Sequence, residues 1–201
     1  MSKRDRSGLC VSDLSDEELI ARCAGGDRSA MDVLVSRYHG KLLDFALRHL
    51  GDRETSADIA QTTLVRAFQS AGTYRTKATF KTWLYTIAFN LVREEFRTRS
   101  RRKESLLSVL EDRGELAPQE PADDRSPEDL AIGRIASQAL WRAVDELPEQ
   151  HRSAVILRFR VGLNYREISV VMGAPSGTVK SWVHYALKAL RKSLEPTKCE
   201  G

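Results

Sequence analysis

The sequence predicts an all-α protein: two small helical domains, an N-terminal helical bundle and a C-terminal helix-turn-helix, joined by an acidic linker. Three observations predict it. Apolar residues recur at three- and four-residue steps, with no strand-like alternation. Capping residues and glycines punctuate the chain at helix-length intervals. Charge is segmented: Lys and Arg stand 19 to 13 against Asp and Glu over residues 1–103, 2 to 9 over 104–133 and 11 to 6 over 134–201.

Ser15, Asp16, Glu17 and Glu18 have capping-box spacing, with Leu14 and Leu19 placed as a hydrophobic staple, and Gly25-Gly26 closes the short helix they open. From Asp27, the stripe Met31, Leu34, Tyr38, Leu42, Phe45 and Ala46 runs to Gly51. A second stripe, Ala60, Leu64, Ala67, Phe68 and Ala71, runs to Gly72. Phe80, Leu84, Ile87, Ala88 and Leu91 mark a third long helix from about Thr79 to Arg102. These helices make a domain over residues 12–103. Pro118, Pro121, Pro127 and Gly114 among alternating acids make residues 104–133 a linker with at most short helical pieces.

A second domain, over residues 134–195, begins with Ile135, Leu140, Trp141 and Val144, passes Leu147-Pro148, and continues through Val155, Ile156 and Phe159 to Gly162. Tyr165 to Met172 is a short helix and Gly173-Ala174-Pro175 a turn. Ser176 then starts a last helix that turns Val179, Val183, Ala186, Leu187 and Leu190 inward.

With 201 residues, 41% of them hydrophobic, the chain can build one ordinary core or two small ones. No stretch approaches the roughly 18 apolar residues of a membrane span, and Met1 to Leu9 is polar and basic. The expectation is a whole-chain cytoplasmic protein without membrane insertion. Cys10, Cys23 and Cys199 have no CxxC or histidine partner at zinc spacing, so free thiols are expected, with no disulfide framework and no metal. His39, His49, His151 and His184 are scattered, and there is no P-loop, GxGxxG or deaminase signature. No catalytic residue, cofactor or enzyme activity is expected.

The two basic ends suit a phosphate backbone, whereas the acidic middle is repelled by one. Opposite its apolar stripe, the last helix presents Ser176, Thr178, Lys180, Ser181, His184, Tyr185 and Lys188. A recognition helix uses such N-terminal side chains against base edges, and its N–H groups and hydroxyls against phosphate. The plainer alternative is a solvated helix face. In that alternative His184 and Tyr185 are packing partners, and Trp182 reads as a half-buried anchor.

Between Tyr74 and Phe96 lie Tyr74, Phe80, Trp83, Tyr85, Phe89 and Phe96, six of the 14 aromatic residues, interleaved with Arg75, Lys77, Lys81 and Arg93. Phe80 fits the core stripe, whereas Trp83, Tyr85 and Phe89 project at other angles. Some of them should be exposed, and aromatics beside cations suit stacking on unpaired bases. The helix ends in Arg93, Arg97, Arg99, Arg101, Arg102 and Lys103, more cations than complementing a helix dipole requires.

Taken together these segments resemble the extracytoplasmic-function (ECF) group of bacterial sigma-70 factors. The resemblance rests on the stretches Ala57 to Phe68 and Phe80 to Asn90 in the first domain. In the second it rests on Leu147-Pro148, Tyr165-Arg166-Glu167-Ile168 and Gly177 to Ser181. It implies that Asp58, Gln61, Thr62 and Val65 bind the clamp of the polymerase β′ subunit. It further implies that Tyr74, Arg75, Lys77, Phe80, Lys81, Trp83, Tyr85, Asn90, Arg93 and Arg97 read and melt the minus-ten promoter element. Arg166, Ser176, Thr178, Lys180, Ser181, His184, Tyr185 and Lys188 would read the minus-thirty-five element. The implied partners are core RNA polymerase, through its β′ clamp and β flap, promoter DNA and an anti-sigma factor, with the chain monomeric when free of polymerase. Thr62, Trp182 and Tyr185 depart from residues common in the group, so the promoter sequence does not transfer. A conventional helix-turn-helix regulator, binding a palindromic duplex without polymerase, remains the alternative.

Overall fold

The computed structural model describes residues 10–75, 77–110 and 139–194, with 103–110 described as helical backbone only. They fall into two compact units, one within residues 1–122 and the other within 123–201. All regular elements among the described residues are helical.

The first unit opens with a 3-10 turn, Val11–Asp13, and helix α1, Asp16–Ala24. The expected capping box forms: the Glu18 N–H donates to Ser15 Oγ at 3.2 Å, and the Ser15 N–H donates to Glu18 Oε2 at 2.8 Å. Asp27 caps α2, Arg28–Leu50, by accepting the Ser29 N–H at 2.9 Å. Helix α2 ends on Gly51, whose φ of 71° is left-handed and whose N–H donates to the Leu47 carbonyl oxygen at 2.9 Å. Asp52 caps α3, Arg53–Gln69, through the Thr55 N–H at 2.9 Å. A 3-10 turn, Ala71–Thr73, and a loop lead to α4, Phe80–Leu110. Helix α4 overruns its expected end at Arg102 and takes 104–110 from the expected linker, since no Gly or Pro interrupts that stretch. The remainder of the expected linker, residues 111–133, lies outside the described residues, as do Ile135 and Cys199.

Helix α4 packs against α1, α2 and α3 together. A helix with three neighbours buries more than one stripe. Phe80, Thr82, Leu84, Tyr85, Ala88, Phe89, Leu91 and Val92 are accordingly all buried. Tyr85, expected at the DNA surface, is only 2% exposed and meets Phe45 edge-on at 5.2 Å, and Phe89 is buried with it. Phe80 is 1% exposed. On α2 the inward positions are Ala30, Leu34, Tyr38, Leu42, Phe45 and Ala46, while Met31, expected inside, is exposed. Polar ties fix the bundle. Arg37 Nη1 donates to Asp16 Oδ1 at 2.6 Å, and its Nη2 to the Ser12 and Leu14 carbonyl oxygens at 2.6 and 2.9 Å. The Tyr38 hydroxyl donates to Asp16 Oδ2.

In the second unit residues 139–145 form α5, followed by α6, Glu149–Val155, and a π-helical segment, Ile156–Arg160. Helix α7, Tyr165–Met172, is opened by an Asn164–Glu167 capping box and closed by Gly173 at a left-handed φ of 64°. Helix α8, Ser176–Leu194, follows the Gly173-Ala174-Pro175 turn. One cluster of its core gathers Ala143, Val144, Leu147, Val155, Ala186 and Leu190, with Trp141 packed against them. Leu140, Phe159 and Leu187, expected to face inward, are exposed. At Phe159 the π-helical segment changes the side-chain phase that a regular helix would have continued.

Candidate nucleic-acid interface

The loop between the 3-10 turn and α4 folds back on itself, with the Tyr74 hydroxyl donating to the Ala78 carbonyl oxygen at 2.9 Å. This brings the Tyr74 ring to 5.3 Å from Trp83 and 6.2 Å from Phe80, with Phe80 and Trp83 5.9 Å apart. Phe80 is buried, so it forms the floor, and Tyr74 and Trp83, both half-buried, form the accessible part. Burial, and next the charge of Glu17, raise the Tyr74 phenol above its ordinary pKa, so it stays a neutral hydrogen-bonding ring. Arg75 and Lys77 are exposed on the same loop and Lys81 is half-buried one residue into α4.

Trp83, Asn90 and Arg97 follow one another at seven-residue intervals and so share a face of α4. Along that face Asn90, Arg93, Glu94, Arg97, Thr98 and Arg101 line a groove of about 430 Å³. An aromatic end thus runs into a basic track. The Arg93 guanidinium lies over the Phe89 ring at 5.9 Å. Arg99 leaves the track, because its guanidinium ties α4 to its neighbours. Nε donates to Glu95 Oε1 at 2.8 Å, Nη1 to the Leu50 carbonyl oxygen at 3.1 Å and Nη2 to Thr55 Oγ1 at 3.3 Å, with Asp52 Oδ2 3.7 Å away.

Asp58, Gln61, Thr62 and Val65 occupy one stripe on the outer face of α3, opposite the buried Ser56, Ile59, Ala60, Thr63, Leu64 and Ala67. Val65 is 45% exposed, an apolar side chain on that outer stripe.

In the second unit Val179, Val183, Ala186 and Leu190 bury one face of α8. The opposite face exposes Ser176, Thr178, Lys180, Ser181, His184, Tyr185 and Lys188, with Arg166 exposed in the first turn of α7. The Ser181 hydroxyl donates to the Gly177 carbonyl oxygen at 3.1 Å. Tyr185, 59% exposed, is flanked by His184 at 5.7 Å and by His151 of α6 at 6.5 Å. Sequence reasoning missed His151 at this face, since no local periodicity links α6 to α8. It also missed Glu17 beside the Tyr74 loop. The Cys23 thiol, half-buried, has its pKa raised chiefly by burial, which lowers its thiolate fraction. No helix among the described residues is long and apolar enough to cross a membrane.

Two helical units, one with an aromatic loop running into a basic groove and the other with a polar helix-turn-helix face, have the make-up of a bipartite DNA-binding protein. Residues 34–102 match the family model of sigma-70 region 2, and residues 137–190 match that of sigma-70 region 4. The RNA polymerase sigma-H factor of Pseudomonas aeruginosa is 34% identical over 90% of this chain and 94% of its own. The ECF RNA polymerase sigma-E factor of Escherichia coli is 30% identical over 91% of this chain and 96% of its own. The chain belongs to the sigma-70 family, in its ECF group, and its function is promoter-directed initiation of transcription with RNA polymerase. Its fold is similar to that of CnrH, solved in complex with the cytosolic domain of CnrY (TM-score 0.62, 22% identity, 88% of this chain and 95% of that one). It is also similar to that of the sigma factor RpoE, solved with the anti-sigma factor NepR from Bartonella quintana (TM-score 0.60, 23% identity, 82% and 96%).

Proposed function

We propose that the surfaces divide the work of initiation as follows. The α3 stripe Asp58, Gln61, Thr62 and Val65 docks on the β′ clamp of core polymerase. The loop carrying Tyr74, Arg75 and Lys77, with Lys81, Trp83, Asn90, Arg93 and Arg97 of α4, opens the minus-ten element and holds its unpaired strand. Phe80 and Tyr85 support that surface from the core. Arg166 and the exposed face of α8, from Ser176 to Lys188, read the minus-thirty-five duplex, with the second unit seated on the β flap.

The observation that carries this reading is the shared face of α4 that bears Trp83, paired with Tyr74, and, two turns on, the Asn90–Arg101 groove. Aromatic planes stack on unpaired bases whatever their identity, and a cationic track follows the attached phosphates. Unstacking a base costs a few kcal/mol, which stacking at about 1–3 kcal/mol per base and the polymerase contacts offset. A reader of closed duplex has no use for a stacking platform. The chain supplies specificity and strand opening without bond chemistry of its own. It works in the cytoplasm, monomeric until polymerase binds it. Since two structures of similar fold hold partner proteins, one of them an anti-sigma factor, an anti-sigma partner is proposed here too.

Run-off transcription from a promoter-fragment library, with sigma-free core polymerase and with or without this chain, tests the reading. Initiation from discrete fragments only when the chain is present supports it. No initiation, with tight binding of duplex by the chain alone, replaces it with the conventional regulator.

A further inference from the structure

Glu17 belongs to α1, yet its Oε1 accepts the backbone N–H of Phe80 at 3.0 Å, across 63 positions of sequence. The first N–H groups of a helix have no intrahelical acceptor and carry the positive end of the helix dipole. At α4 their capping is shared. Thr79 Oγ1 accepts the Thr82 N–H at 3.2 Å, and Glu17 reaches in from another element to take that of Phe80. The junction so held is where the Tyr74 loop becomes the helix that carries Trp83.

The contacts around Glu17 lead in both directions. Helix α1 packs on the 3-10 turn Ala71–Thr73 and on α4, and Asp16, the residue before Glu17, is fastened to Arg37 and Tyr38 of α2. On the other side of the bond, the Phe80 ring meets Tyr38 edge-on at 5.5 Å and lies 5.9 Å from Trp83. A carboxylate facing the promoter would repel it. Glu17 is instead half-buried and turned onto a backbone donor.

We propose that Glu17 is a positioning residue for promoter opening: by capping the Phe80 N–H it holds the Tyr74 loop and the Trp83 ring in the arrangement that captures an unpaired base. This rests on reading that loop as the minus-ten surface. Two properties of the side chain are separable by substitution. Glu17→Gln keeps an acceptor oxygen at the same reach without the charge, whereas Glu17→Asp keeps the charge one methylene short.

The test uses holoenzyme assembled from sigma-free core polymerase and the full chain, wild-type or carrying E17Q, E17D or E17A. Opening is read as permanganate reactivity of unpaired thymines on duplex promoter, and core affinity by competition. Expected is opening within about twofold of wild type for E17Q and about tenfold lower for E17D and E17A, the scale of a broken charge-assisted hydrogen bond. Core affinity should be unchanged, and E17D and E17A should also bind a promoter carrying a premelted minus-ten bubble less tightly than wild type, since its unpaired bases meet the same capture surface. If E17A does not fold, the E17Q and E17D comparison carries the test. Equal opening by all variants overturns the proposal, as does an impaired E17Q beside a wild-type-like E17D, or loss of core affinity in step with opening. Wild-type chain that opens no promoter overturns the underlying reading as well.

Discussion

Tyr74 and Trp83, nine residues apart in sequence, stand with ring centroids 5.3 Å apart and planes inclined at 54°. Neither is fully buried, and each leans on the buried Phe80. A pair supported from beneath and open above is a platform on which one base can stack. Trp83→Ala should therefore impair opening of duplex promoter by about tenfold or more, the worth of one base–aromatic stack. Core polymerase affinity should stay at the wild-type value. Permanganate footprinting beside a core-competition assay checks both; failure of the variant to fold would make Trp83 a core residue.

Arg93 and Arg97 line the groove on α4, and among the described residues neither has a carboxylate within ion-pair distance, so their charge is available to phosphates. Replacing both with alanine should lower the salt dependence of open-complex stability. The slope of log affinity against log salt should fall by about 0.7 for each single-strand phosphate that is no longer neutralised. An unchanged slope would place the strand elsewhere.

Val65 is an exposed apolar residue at the end of the Asp58–Gln61–Thr62 stripe. Val65→Asp removes nothing from the core, so the melting temperature of the isolated chain should hold. Core polymerase affinity should fall by about tenfold to a hundredfold, as when a charge is placed in an apolar contact. Titration of labelled chain with core polymerase measures it.

Lys180 lies in the second turn of α8, on the face turned away from the core of its unit. Lys180→Ala should weaken initiation at promoters that depend on the minus-thirty-five element and spare those that do not. A contact to a base edge would cost about 1–3 kcal/mol and relax sequence preference at one position, whereas a phosphate contact would weaken all sequences alike. Initiation from a randomised minus-thirty-five library distinguishes the two.

Acid should loosen the first unit through its helix caps. Hydrogen bonds from the Ser15, Ser29 and Thr55 side chains are the main cause holding Glu18, Asp27 and Asp52, respectively, below the usual carboxylate range. A carboxyl whose folded pKa is depressed stabilises the fold above its unfolded pKa of about 4, and that contribution is lost as pH falls through the lower folded value. Thermal midpoints should be level from about pH 5 upward and decline below about pH 4. Asp52→Asn, still a good cap, should flatten part of that decline.

The caps, turns and helix order were legible because they are local. Ser15 with Glu18, Gly51, and Gly173 before Ser176 each act within a few residues, and the spacing alone states the geometry. The buried stripe of α3 and the exposed face of α8 were legible for the same reason, since each of these helices has one buried side whose period shows in the sequence. Helix α4 escaped that logic. Its aromatics read as surplus to one stripe, but with α1, α2 and α3 around it, Tyr85 and Phe89 are core while Trp83 stays at the surface.

The all-helical class, the two basic modules and the resemblance that the comparisons then bore out were readable along the chain, because they depend on periodicity, punctuation and charge. Which cations remain on the groove depends on packing, which draws Arg99 into ties with Leu50, Thr55 and Glu95 and leaves Arg93 and Arg97 to line it. The same packing brings Glu17 to Phe80 and His151 to Tyr185. Partners so far apart in sequence meet through the packing of whole helices, and no local pattern along the chain records which faces meet.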